Sequence, residues 1–191
     1  MPCVMQGFFL SKNMSENKNT TKLLSEIDLS KCIKRISFEV IEKNVQISDT
    51  ILVGVETRGV FLAQRISDSV AKITQQKILV GTLDPKLWRD DLDNYHIKKA
   101  KNSIIPSDIH DKNVIIVDDV LYTGRTIRAA IQALLNFGRP KRIQLAVLVD
   151  RGHRELPIRP DYIGKNIPTE YDQKIKVNLM EVDSNDSVVL L

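Results

Sequence analysis

Four consecutive β-branched residues, Val114-Ile-Ile-Val117, run straight into a pair of acids, Asp118 and Asp119. An unbroken apolar run of this kind is buried on both faces, which places it inside a parallel sheet. After the acids come Val120, Leu121, Tyr122, Thr123, Gly124, Arg125 and Thr126. Ile127, Ala130, Ile131, Leu134 and Leu135 then recur at helical spacing. The unit is therefore strand, acidic pair, small polar loop, helix. In an open α/β sheet, ligands bind at the carboxyl ends of the strands.

The loop chemistry fits a phosphorylated sugar. Thr123 to Thr126 bring two hydroxyls and a set of backbone N–H groups to the start of a helix, a natural phosphate site. Carboxylates are unsuited to holding a phosphate directly. They suit hydrogen bonds from vicinal ribose hydroxyls, or a place beside a Mg2+ that phosphates bring. Phosphate at one end and a diol at the other describe a ribose 5-phosphate. An N-capped helix after a core strand is the plainer reading, but a cap needs one Asp or Thr and this turn has two of each.

Val117-Asp-Asp-Val-Leu-Tyr-Thr-Gly-Arg-Thr126 resembles the phosphoribosyl pyrophosphate (PRPP) motif of type I phosphoribosyltransferases. A second stretch, Leu145-Ala-Val-Leu-Val-Asp-Arg-Gly-His-Arg-Glu-Leu-Pro-Ile158, narrows the resemblance to the PyrR family. That family comprises bifunctional pyrimidine-operon attenuators and uracil phosphoribosyltransferases. The resemblance covers about residues 22 to 190. It implies the type I phosphoribosyltransferase fold: α/β, a central, mostly parallel twisted sheet flanked by helices, a small hood and a flexible lid loop. It also implies uracil plus PRPP giving UMP and pyrophosphate, with Mg2+ arriving on PRPP and no metal held directly by the protein. The implied regulatory partners are UMP or UTP and a stem-loop in the leader of pyr operon mRNA, with a homodimer or homotetramer as the assembly. Two alternatives stay open: an RNA-binding regulator with little or no catalysis, and a salvage enzyme for another base, such as hypoxanthine, without RNA binding.

The remaining chain fits one such domain over residues 21–191. A hydrophobic content of 42% supplies a core, and a net charge of +4 permits an anionic partner without demanding one. Two cysteines, Cys3 and Cys32, form no metal-type cluster and fit a reducing, cytoplasmic location. No stretch of about 20 apolar residues exists to span a membrane. Met1 to Leu10 lacks the basic start and cleavage site of a signal peptide. No catalytic triad or zinc spacing competes with the sugar-phosphate reading. Residues 1–20 include a Ser/Asn/Lys-rich tract without periodicity, which predicts a disordered extension, with Met14 as an alternative start.

Residues 29 to 44 read as an amphipathic helix with Cys32, Ile33, Ile36, Val40 and Ile41 on its apolar stripe. Ile51 to Val55 is a second buried strand, followed by the polar turn Glu56-Thr-Arg-Gly-Val60 and a helix carrying Phe61, Leu62, Ile66 and Val70. The resemblance makes Thr57, Arg58 and Gly59 the pyrophosphate loop. Glu56 departs from the family pattern, which has a basic residue there. Lys77 to Leu83 is a third strand. Asp84 to Lys112 is long, polar and lid-like, and Arg89 is its candidate for reaching the pyrophosphate; His96 and the lysines read as solvated. Gly138 stops the helix after the motif, and Ile143 to Val149 is a fourth buried strand. His153, Arg154, Arg159 and Lys165 then form a basic cluster beyond that strand. The PyrR resemblance makes these four, with Lys34, Arg35 and Lys43 of the first helix, the RNA-binding surface. Lys174 to Met180 alternates like an edge strand, and the resemblance places Val177 against uracil. Asp118, Asp119 and Arg58 are the residues expected to act in catalysis.

Overall fold

The computed structural model describes residues 21–90 and 102–191. The expected N-terminal extension and the middle of the expected lid, His96 included, lie outside the described residues.

The main sheet has five parallel strands in the order β3-β2-β4-β5-β6. These are β2 (Thr50–Val55), β3 (Leu79–Leu83), β4 (Asn113–Leu121), β5 (Arg142–Asp150) and β6 (Tyr162–Asn166). Pleating divides β4 between two cores. Ile115 and Val117 face a cluster formed with α1 (Glu26–Lys43) and α2 (Arg58–Thr74). Val114 and Ile116 face the other cluster, under α3 (Arg125–Leu134). Helices on both faces explain why the strand is apolar throughout rather than alternating.

Helix α1 begins earlier than its apolar stripe implies. Ser25 caps it, its Oγ accepting from the Asp28 N–H at 3.3 Å while the Asp28 carboxylate accepts from the Ser25 N–H at 3.1 Å. Leu29 joins Cys32, Ile33, Ile36 and Val40 in the buried face.

Strand β4 runs on through both acids to Leu121, where sequence periodicity ended it at Val117. Its partner β5 is equally long, and Asp118 pairs with Val147, Val120 with Val149 and Leu121 with Asp150. Lys165, expected beyond the sheet, lies within β6, a strand that its glycine and polar residues conceal.

A second, antiparallel sheet, β1-β8-β7, forms the hood. It joins β1 (Thr21–Leu24), β8 (Ser187–Leu190) and β7 (Ile175–Asn178), with the one-turn helix α4 (Met180–Asp183) between β7 and β8. Leu24, Val177, Leu179 and Val188 from the hood enter the core beneath α1 and α2, so the hood sits over the α2 side of the main sheet.

Both ends of the main sheet are covered. At β3, Thr82 and Ile104 exchange two backbone hydrogen bonds of 2.8 Å. At β6, the Gly164 carbonyl accepts from Arg35 and from the Cys32 thiol, and the Asp161 carbonyl accepts from Lys43. Among the described residues no helix is long and apolar enough to cross a membrane.

Candidate active site

The site lies at the carboxyl ends of β4 and β2. Successive pleat positions send Asp118 and Asp119 toward different neighbours. Asp118 lines a cavity of about 280 Å³ with Arg89, Val120, Leu121, Tyr122, Thr123, Gly124, Arg125, Thr126, Ile127 and Glu155. Asp119 lies near enough to Arg58 for the guanidinium to favour its charged form. Burial, and then repulsion by Asp119, pushes the Asp118 carboxyl well above the usual carboxylate range. Burial also raises Asp119, against the opposing pull of the Val120 N–H and Arg58. Two buried carboxyls so placed resist double ionisation until a cation or hydroxyl donors arrive.

The phosphate end is braced from the neighbouring strand. Gly124 takes φ +93° to turn from β4 into α3, and a Cβ there would meet Ile158 at 3.3 Å. The Thr123 carbonyl accepts from the N–H groups of Glu155 and Leu156 at 3.0 and 3.1 Å. Arg154 donates to the carbonyls of Tyr122, Gly152 and Ile158 at 2.8, 3.0 and 3.0 Å and to the Asp150 carboxylate at 2.6 Å. Arg89 donates to the Thr126 hydroxyl at 3.0 Å, which brings the base of the expected lid onto the phosphate loop.

The second loop is braced from the hood. The Glu56–Thr57 peptide is cis, and α2 begins at Arg58. A Cβ on Gly59 would approach the Val117 carbonyl to 2.3 Å, so only glycine lets α2 start this close to β4. The Arg58 guanidinium donates twice to Asp183, at 3.1 and 2.8 Å. That pairing holds the Asp183 carboxyl below the usual carboxylate range. Two turns along, Arg65 pairs with both Glu181 and Asp186 at 2.7 Å. Sequence reasoning missed Asp183; its place after an alternating strand carried no signal, because the contact with Arg58 spans 125 residues. Thr57, Arg58 and Gly59 lie outside the cavity lining but beside the acids. Val177 is buried at 1% exposure in β7, which packs against β4.

The expected RNA-binding residues do not converge. Arg35 and Lys165 line one groove between α1 and β6, together with Lys31, one helical turn before Arg35. Asp28, Glu39 and Asp161 share that groove, so its charge is mixed. Lys34 is turned into a separate groove against α2, with Glu26 and Asp68. Lys43 lies 4.7 Å over the Tyr162 ring. Arg154 commits its donors to the phosphate loop, an assignment that charge alone does not reveal. Arg159 is exposed. His153 joins an aromatic group with Tyr122 and Tyr171. Both grooves exceed the motif cavity in size, yet neither contains the acids or the phosphate loop.

The comparisons agree with this geometry. The phosphoribosyl transferase domain family matches residues 20–185. The fold is shared with a hypoxanthine phosphoribosyltransferase of Trypanosoma cruzi at TM-score 0.67 and 15% identity, covering 90% of this chain and 95% of that one. A Staphylococcus aureus hypoxanthine phosphoribosyltransferase aligns at TM-score 0.63 and 21% identity, covering 87% and 89%. An acidic pair, a glycine-turned phosphate loop and this sheet order thus define a phosphoribosyltransferase. Among curated relatives, the bifunctional protein PyrR of Latilactobacillus sakei is 50% identical over 172 residues, 88% of this chain and 96% of that protein. The bifunctional protein PyrR of Bacillus cereus is 52% identical over 169 residues, 87% and 94%. The chain belongs to the PyrR family.

Proposed function

We propose that this protein transfers the phosphoribosyl group of PRPP to uracil, giving UMP and pyrophosphate, and that it binds pyr leader mRNA in response to uridine nucleotides to attenuate transcription. The observation that carries this reading is identity of about one half to bifunctional PyrR proteins along almost their whole length.

The Thr123–Thr126 turn holds the 5-phosphate through backbone N–H groups and hydroxyls at the start of α3. Asp118 and Asp119 accept from the ribose hydroxyls and face the positive charge that grows on the ribose as pyrophosphate departs. Catalysis is then positioning and electrostatics. Arg58 turns from Asp183 toward the leaving group, and Arg89 meets it from the lid base. The buried, mutually repelling carboxyls suit a Mg2+ carried in on PRPP, which supplies positive charge to the leaving pyrophosphate when bound. The Val177 backbone reads the uracil edge. Arg35, Lys43, His153, Arg159 and Lys165 supply the RNA surface, Lys34 contributing from the opposite side of α1. Arg154 serves that surface indirectly, by shaping the loop between it and the nucleotide. A homodimer or homotetramer is the working assembly.

The test is binding of a labelled pyr-leader stem-loop, with and without UMP, across a salt series. Sequence-selective binding tightened by UMP supports the regulator. Binding that ignores both UMP and RNA sequence reflects general basicity and leaves a uracil salvage enzyme, checked by direct assay of UMP formation.

A further inference from the structure

We infer that Tyr171 and His153, held against Tyr122, form a stacking site for an unpaired base of the bound RNA. This rests on the RNA-binding reading above and extends it to a named site. The ring centroids of His153 and Tyr171 are 5.6 Å apart at an interplanar angle of 88°. Tyr122 stands 6.2 Å from His153 and 6.4 Å from Tyr171, at 73° and 63°. Edge-to-face packing steadies the rings, each contact using one face and leaving the outer face of an exposed ring open. Tyr171 is 71% exposed. An exposed aromatic face of this kind is what an unstacked nucleobase seeks.

The platform is fastened. Arg151 lies 3.9 Å over the Tyr122 ring and donates to the Thr169 hydroxyl at 3.2 Å and the Glu170 carbonyl at 3.3 Å. The His153 ring makes a 2.6 Å contact with the Thr169 carbonyl. His153 itself has φ +55°, a left-handed conformation that side-chain-bearing residues rarely adopt. The left-handed backbone and the Thr169 contact together fix where this ring sits.

Two observations select an RNA base over free uracil. Tyr122 lines the phosphate cavity, but His153 and Tyr171 do not. Glu170 and Asp172, exposed acids next to Tyr171 in sequence, add negative charge to this segment, which disfavours a phosphate there and favours a base face. Tyr122 then belongs to both sites, with its ring in the platform and its backbone in the phosphate loop. It is the physical link through which nucleotide occupancy reaches the RNA.

The test uses the full-length protein and a pyr-leader stem-loop carrying 2-aminopurine at each loop position in turn. One position should be quenched on binding. Tyr171→Ala should bind the RNA about tenfold more weakly, and Tyr171→Phe should retain affinity. UMP formation and melting temperature of both variants should match the parent, which excludes misfolding. If Tyr171→Ala binds the stem-loop as the parent does, the stacking site is overturned while RNA binding stands. A raised KM for uracil in Tyr171→Ala, with RNA affinity unchanged, would show that the rings serve the substrate and overturns it equally. If the parent shows no selective RNA binding, the regulator reading fails and takes the site with it.

Discussion

Two loops meet at the carboxyl ends of adjacent strands, and they are held in different ways. The loop after β4 is braced by the segment that follows β5, through Arg154 and the N–H groups of Glu155 and Leu156. The loop after β2 is braced from the hood, through Arg58–Asp183 and the Arg65 pairs. The first brace uses backbone carbonyls along a continuous parallel sheet. The second uses charged side chains reaching to a separate antiparallel sheet. The phosphate half of the site should therefore be rigid and tied to global stability. The pyrophosphate half should be adjustable and tied to ligand binding.

The largest expected effect tests the acids that the two loops share. Asp118→Asn or Asp119→Asn should lower kcat/KM for PRPP by about 10²-fold or more. Asp118 has its folded pKa raised above the unfolded value. Its contribution to stability is full at pH below the ordinary carboxylate value and is lost as pH rises through the elevated one. The ligand-free protein should thus lose melting temperature over that window, and Asp118→Asn should flatten the slope. An unchanged slope in the variant would mean that Asp118 is not the strained group.

Next comes Arg154→Ala, which strips hydrogen bonds from four carbonyls and takes the charged partner from the Asp150 carboxylate, leaving it the Gly152 N–H. We expect a loss of about 2 kcal/mol in stability by denaturant titration, with a raised KM for PRPP. Asp183→Asn should show the opposite balance: KM for PRPP raised about tenfold, with a stability change below about 1 kcal/mol. If Asp183→Asn unfolds the protein and Arg154→Ala only weakens PRPP, the contrast between the two braces is reversed. The smallest effect is Glu56→Lys, which replaces an acid with a base beside the proposed pyrophosphate loop. It should lower KM for PRPP about threefold, and a rise instead would show that Glu56 is productively engaged where it stands.

These contrasts also mark what could be read in advance. Strands β2, β4 and β5 and helices α2 and α3 were legible because each is a contiguous apolar pattern. The phosphate loop was legible because its chemistry is contiguous too. Strands β1 and β8 were not, since Thr21 pairs with Leu190 across nearly the whole chain and neither segment carries a long apolar run. The continuation of β4 through Asp118 and Asp119 was hidden because acids rarely extend a strand; the length of β5 decides it. Charge alone did not reveal the bracing contacts of Arg154, which reach the Tyr122, Gly152 and Ile158 carbonyls and Asp150. Lys34 and Arg35 are neighbours in sequence, but helical rotation places them in different grooves.

The closure of the main sheet at both ends has a consequence for how the protein behaves in a crowd. An open parallel sheet offers unpaired N–H and C=O groups to any passing extended chain. Here the Thr82–Ile104 bridge occupies one border, and Arg35, Cys32 and Lys43 occupy carbonyls at the other. At those positions a second copy finds the border backbone already engaged. Self-association is steered toward side-chain surfaces, and runaway sheet growth into aggregates is suppressed. Arg35, read from sequence as a surface charge, thus also caps carbonyls on this border of the sheet.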